Sequence, residues 1–295
     1  MSSRRDFIRQ ASLIAPAAFL LPDQLFAAKK QTGVGLQLYT LRDLVAKDPK
    51  GTLEKVAAAG YKFVELYGYN PKDANFFGMP LLDYASFFNS LGLKSPSGHY
   101  MPVQWLAGEG DTGREELENL VRAAVAMKNE YFTIPYLMDN LRPNLDGYKR
   151  LAGRINAAAE LVRKAGLKMC YHNHDFEFKS YEGITGYDIL TKECDPKLVS
   201  FELDLYWVVR AGKDPIQLIE SLKGRVPMWH VKDMSKADPA QQTEVGNGSI
   251  DFKRIFSAAK TSGLKYFFVE QENNYVPDPI GAINSSIQYI KASLL

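Results

Sequence analysis

One punctuation mark recurs along this chain and limits what it can become. A helix-like segment ends in glycine, and an apolar run follows at once. Ala57-Ala58-Ala59-Gly60 leads to Phe63-Val64-Glu65-Leu66, and Ser90-Leu91-Gly92 leads to Lys94 through His99. Arg163-Lys164-Ala165-Gly166 precedes Lys168 through His172, Ser221-Leu222-Lys223-Gly224 precedes Val226 through His230, and Thr261-Ser262-Gly263 precedes Tyr266 through Glu270. Glycine stops a helix in the left-handed conformation because it has no Cβ to clash there. The runs are nearly continuous in apolar residues, as strands covered on both faces should be.

Three further strands, at Gly33–Tyr39, Tyr131–Pro135 and Val199–Asp204, bring the count to eight. Helices are expected from near Pro49, over Asp111–Met127, from the Asp214-Pro215 start, over Phe252–Ser262 with Asp251 as its cap, and from Asp278-Pro279. Strands alternating with helices in this number predict one (β/α)8 TIM barrel, an α/β fold, over residues 31–295. An open doubly wound sheet needs fewer strands and usually a Gly-rich turn after the first. Here that strand runs into Tyr39-Thr40-Leu41-Arg42-Asp43, which has no such turn.

Residues 1–28 read differently. Ser3-Arg4-Arg5-Asp6-Phe7-Ile8 is a twin-arginine pattern, Ala11 to Leu21 is apolar but broken by Pro16, and Ala27-Ala28 supplies small residues for cleavage. This is the order of an export signal of the twin-arginine type and predicts a periplasmic protein. The apolar run is too short to span a membrane, so no stable insertion after export is expected. Setting those residues aside, with their three Arg and two Asp, leaves 33 basic against 32 acidic residues. That balance gives no footprint for nucleic acid. Cys170 and Cys194 are read as buried free thiols.

In such a barrel, chemistry sits at the carboxyl ends of the strands. Those ends carry Gln37 and Tyr39, Glu65, His99, Tyr136, His172 and His174, Asp204, His230 and Lys232, and Glu270 and Glu272. Polar residues closing apolar strands are costly unless paired or bound to something. All four histidines of the chain fall at these ends. His172, Asp204, His230 and Glu270 would supply two imidazoles and two carboxylates to one divalent metal. Residues two apart on a strand face the same way, so His174 rivals His172 as fourth ligand. Candidate proton acceptors are Glu270, Lys232 and Glu177. His174, His99, Tyr39, Glu65 and Trp207 are the candidate substrate contacts.

Several motifs extend this reading. Tyr171-His172-Asn173-His174-Asp175-Phe176-Glu177-Phe178, Glu202-Leu203-Asp204-Leu205-Tyr206-Trp207, His230-Val231-Lys232-Asp233-Met234, Gly246 through Phe252, and Val269-Glu270-Gln271 resemble the sugar phosphate isomerase/epimerase family, one of the xylose isomerase-like barrels. The resemblance runs from about the first strand to the C-terminus. It implies one divalent metal, often Mn²⁺, held by Glu, Asp, His and Glu on the last four strands. Asp204, His230 and Glu270 match the last three. His172 stands where the first Glu belongs, which puts a mechanism with two carboxylates in doubt. Imidazole there suits Zn, Fe or Co better than carboxylate does, so Mn, Zn, Co and Mg all stay open.

The resemblance implies a small carbohydrate substrate and an enediolate formed by removing a proton beside a carbonyl. Lys232 would need a lowered pKa to take that proton. The leading expectation from there is epimerisation or isomerisation of a keto-sugar; expulsion of a β-substituent, as in a 3-keto-glycoside lyase or dehydratase, is the alternative. A non-catalytic binder of sugar or metal in the periplasm is the second alternative. Metal-dependent nucleases of abasic DNA share the superfamily, but charge and export signal argue against that activity. A second copy of the chain is an open partner.

Overall fold

The computed structural model describes residues 33–295, so the export-signal reading lies outside the described residues. Eight strands form the sheet: β1 Gly35–Gln37, β2 Phe63–Glu65, β3 Ser97–His99, β4 Tyr131–Ile134, β5 Lys168–His172, β6 Val199–Asp204, β7 Met228–Val231 and β8 Tyr266–Val269. Each pairs in parallel with its sequence neighbours, and β8 returns to β1 through Gly35 opposite Phe268 and Leu36 opposite Val269. The seam between β2 and β3 is thinner. It is held by bridges Phe63 to Lys94 and Leu66 to Gly98, with His99 N donating to Leu66 O at 2.6 Å. This is the eight-stranded parallel barrel expected from the sequence.

The glycine stops behave as read: Gly60, Gly92, Gly166, Gly224 and Gly263 all have φ between 70° and 91°. Aspartates cap helix starts, at Asp214 and Asp278 as read and also at Asp48. Asp48 accepts from Gly51 N before the helix Pro49–Ala58, Asp214 from Ile216 N before Pro215–Ser221, and Asp278 from Gly281 N before Pro279–Ser293. Strand and helix ends shift by a few residues, and two elements differ in kind. The first strand ends at Gln37, whose side chain accepts from Tyr39 N and turns Leu38–Leu41 into a 3₁₀ helix. The helix expected over Phe252–Ser262 is two pieces, Phe252–Phe256 and Ala259–Ser262; Ser257 Oγ donates to Arg254 O at the break.

Inside the barrel, residues two apart on the same strands form layers. Near the amino ends, Tyr131, Cys170, Met228 and Phe268 pack into an apolar plug with Phe63 and Tyr266. Gly35 is required there, because a Cβ would come within 2.5 Å of the Phe268 ring. One layer up, the same strands present Thr133, His172, His230 and Glu270. The main apolar core lies elsewhere and includes Val64, Ile134, Leu203 and Val231 together with Leu120, Ile155 and Ile287 from three helices. Cys170 and Cys194 are buried free thiols, as expected. No helix among the described residues is long and apolar enough to cross a membrane.

Candidate metal centre

Above the plug, alternation along the strands turns a row of polar side chains inward, and the barrel gathers them. Asp204, His230 and Glu270 each place a ligand atom within 4.8 Å of the others. His230 Nδ1 is 2.7 Å from Glu270 Oε2. Asp204 Oδ2 lies 3.8 Å from His172 Nε2 and 4.0 Å from His230 Nδ1. That oxygen is buried and makes no hydrogen bond of good geometry; its one close partner is the Lys232 ammonium at 3.1 Å. Two carboxylates with one or two imidazoles form a mixed oxygen and nitrogen donor set of the kind borderline divalent ions take. The residues present therefore fit a metal.

A second group lies deeper. His99, His172, Glu202 and His230 also bring ligand atoms within 4.8 Å of one another. Glu202 was passed over in the sequence in favour of Asp204. Yet it sits two residues earlier on β6 and must face the same way, the rule already applied to His172 and His174. Its Oε2 is 2.9 Å from His99 Nε2, 3.1 Å from His172 Nδ1 and 3.3 Å from His230 Nε2. Glu65 is equally buried. Its Oε2 accepts from Gln37 Nε2 at 2.7 Å and meets His230 Nε2 at 2.6 Å, while its Oε1 accepts from Ser97 Oγ.

The charges sort themselves by partner. Lys232 is fully buried, with Nζ 2.7 Å from Glu272 Oε1, 2.8 Å from Glu270 Oε2 and 3.1 Å from Asp204 Oδ2. Burial opposes its charge, but these carboxylates outweigh burial and raise its pKa well above the usual lysine value. That direction is opposite to the lowered pKa that proton removal by Lys232 would need, and it suits Lys232 as a cation clamped between these carboxylates. Burial likewise opposes ionisation of Glu270, yet Lys232 and His230 hold it well below the carboxylate range. Asp204 goes the other way, pushed up by burial to about 6 against the pull of Lys232 and His230. Burial and the Lys232 charge bring His174 down to about 3, so its imidazole is neutral.

A cavity of about 520 Å³ opens above these groups. Tyr39, Tyr67, Tyr69, His99, Tyr136, His172, His174, Glu270 and Glu272 help line it. Of the predicted substrate contacts, His174, His99 and Tyr39 reach it. Trp207 does not; it packs behind His174, with ring centroids 5.5 Å apart, and against the Lys232 ammonium. Glu65 is sealed beneath the cavity floor. Glu177 also lies outside the lining, because it accepts hydrogen bonds from Tyr171 O–H and His174 N–H and so fixes the turn after β5. Asp233 braces a loop, accepting from the backbone N–H groups of Gly246, Gly248 and Ile250.

A family model described as xylose isomerase-like TIM barrel matches residues 53–293. The chain belongs to that family. It is 23% identical over 249 residues to an inosose dehydratase of Lacticaseibacillus casei, covering 75% of this chain and 81% of the relative. A crystal structure of a sugar phosphate isomerase/epimerase from Parabacteroides distasonis superposes with a TM-score of 0.78 at 26% identity, covering 95% of this chain and 99% of that one. A structure of the IolI protein with a bound zinc atom matches at 15% identity and TM-score 0.69, over 88% of this chain and 97% of that one, which shows the shared fold. These relatives are named for reactions of small carbohydrates, and this chain carries a His, Asp and Glu group able to hold a metal.

Proposed function

We propose that this protein is a divalent-metal-dependent lyase that removes the proton beside a carbonyl of a keto-polyol or keto-glycoside and expels the β-substituent. One observation carries the reading: the two sides of the cavity differ chemically. Glu270 and Glu272, at the end of β8, supply its carboxylates, whereas His99, His172 and His174, at the ends of β3 and β5, face them from across the barrel. An epimerase working through two carboxylates needs one on each face of the sugar. Elimination can run on one carboxylate that takes the proton and returns it to the departing oxygen, with a neutral hydrogen-bond donor facing it. The relatives named inosose dehydratases support the same choice.

Asp204, His230 and Glu270, with His172 beside them, would hold the ion. When bound, it supplies Lewis acidity that makes the hydrogen beside the substrate carbonyl easier to remove. Glu270 is the only one of the three bases named from the sequence that lines the cavity, and its carboxylate accepts the proton. The C–H electron pair becomes the new C=C bond, and the C–O bond to the β-substituent breaks with its pair leaving on oxygen. The proton taken by Glu270 is delivered to that oxygen, and the neutral His174 ring donates a hydrogen bond that steadies it as it leaves. Lys232, fixed between Asp204, Glu270 and Glu272, holds the carboxylates in place and balances their charge. Tyr39 and Tyr67, packed edge to face at 5.0 Å, give an aromatic wall for a sugar face.

The test follows keto-inositols and 3-keto-glycosides by NMR in D₂O, with zinc, manganese or cobalt supplied. The expected result is metal-dependent release of water or aglycone with an unsaturated ketone, lost on chelation and reduced roughly 10²- to 10⁴-fold in Glu270→Gln. Deuterium incorporation with an inverted carbon and no leaving group released would instead make the protein an epimerase.

A further inference from the structure

The deeper group, His99, His172, Glu202 and His230, has the composition of a second metal site, but its hydrogen bonds point to another role. Gln37 decides the matter. Its Oε1 accepts from Tyr39 N at 3.0 Å, so its amide nitrogen must be the atom that meets Glu65 Oε2 at 2.7 Å and His99 Nδ1 at 3.2 Å. His99 Nδ1 is therefore an acceptor, and the ring proton sits on Nε2, facing Glu202 Oε2 and Glu65 Oε2 at 2.9 and 3.1 Å. Both nitrogens of His99 are engaged, and neither is left to ligate an ion.

The same reasoning separates the two nitrogens of His172 and of His230. On His172, Nδ1 is 3.1 Å from Glu202 Oε2, while Nε2 looks toward Asp204 Oδ2. On His230, Nε2 is 2.6 Å from Glu65 Oε2, while Nδ1 looks toward Glu270 and Asp204. Each ring thus has one nitrogen on a deep carboxylate and the other on the outer donor group. Glu65 is itself held from the far side: Ser97 donates to its Oε1, and Ser97 in turn meets Thr133 Oγ1 at 2.8 Å.

We propose that Glu65 and Glu202 are positioning residues that fix the tautomers of His230 and His172, so that Nδ1 of the first and Nε2 of the second are presented together to a single ion beside Asp204 and Glu270. The two carboxylates would do this without touching the ion, as outer partners of metal-bound histidines do. The inference rests on the metal reading above and adds a prediction about residues sealed away from substrate. Glu65→Gln suits the surroundings: its amide oxygen can accept from Gln37 and His230 while its N–H₂ donates to Ser97, whose hydroxyl then turns to Thr133.

The experiment uses zinc and the full chain. Competition with a chromogenic chelator gives affinity, elemental analysis gives stoichiometry, and long-range ¹H–¹⁵N spectra of the zinc-loaded protein report which imidazole nitrogen carries hydrogen. One zinc per chain is expected, with hydrogen on Nε2 of His230 and Nδ1 of His172. In Glu65→Gln and Glu202→Gln the stoichiometry should hold while affinity falls about 10- to 100-fold, with unaltered circular dichroism. Two zinc ions per chain, or zinc on Nε2 of His230 or Nδ1 of His172, would overturn the proposal and leave metal dependence standing. Unchanged affinity in both variants would overturn it as well. If wild-type protein bound no zinc, manganese or cobalt, both the proposal and the metal reading would fall.

Discussion

Two layers of the barrel interior, one strand pleat apart, teach opposite lessons. The lower layer, built on Tyr131, Cys170, Met228 and Phe268, is sealed and apolar. The upper layer, reached by stepping two residues along the same strands, holds Thr133, His172, His230 and Glu270, together with Glu65 and Glu202. Both are buried. The lower layer gains free energy by leaving water. In the upper layer, burial opposes every charge, and only mutual pairing holds it together. The fold needs the first layer. The second is tolerated because its groups are paired and, on the reading above, because they bind something.

Altering each layer in turn exposes the difference. Phe268→Ala, in the lower layer, empties the plug and should cost about 3–5 kcal/mol of stability. Zinc affinity per folded molecule should be unchanged, so added metal raises the melting temperature of variant and wild type alike. Thermal melts with and without zinc check this; a metal response that disappears in Phe268→Ala would mean that the plug shapes the centre above it.

Lys232→Met, in the upper layer, should cost about 3 kcal/mol in the metal-free protein, because Asp204 and Glu270 are left buried without their cation. The contrast lies in the rescue. Divalent metal restores positive charge beside the same carboxylates and should raise the melting temperature of the variant by more than it raises that of wild type. Equal shifts in the two proteins would show that ammonium and metal answer to different carboxylates.

The barrel was legible in the sequence and its polar interior only in outline, for a physical reason. Glycine stops and aspartate caps act within a few residues, so Gly166 or Asp278 states its role locally, and together they gave the barrel and most of its boundaries. Histidines and acids at strand ends gave Asp204, His230 and Glu270 as neighbours once the barrel closed. Which nitrogen of His172 faces which carboxylate depends on Glu202, one strand away, and on Gln37, on the far side of the barrel; no local pattern encodes that. Glu202 was within reach, since period-two alternation places it with Asp204. The charge of Lys232 was not, because three carboxylates from two strands decide it. Glu177 illustrates the remaining gap: an acid in a motif near the site, turned by Tyr171 toward the outside of the barrel wall.

Glu177 also gives the smallest and most specific test. Burial raises its pKa to about 7 from 4.5, against the opposing hydrogen bonds from Tyr171 and from backbone N–H. A carboxyl group whose folded pKa lies above its unfolded value favours the folded state most when protonated. That contribution is fully present below about pH 4.5 and is lost as pH rises through about 7, a change on the order of 3 kcal/mol at most. Glu177→Gln cannot ionise and should lack this dependence. Denaturant unfolding of both proteins at pH 5 and pH 8 should therefore show wild type losing stability relative to the variant at the higher pH. The cavity-facing carboxylate predicts the reverse slope: Glu270 is held ionised by Lys232 and His230, so its contribution is present at neutral pH and lost on acidification. If the Glu177 difference ran in that direction too, its carboxylate would be ionised and paired in the folded protein, and the separation between a neutral acid outside the barrel wall and a charged one beneath the cavity would be wrong.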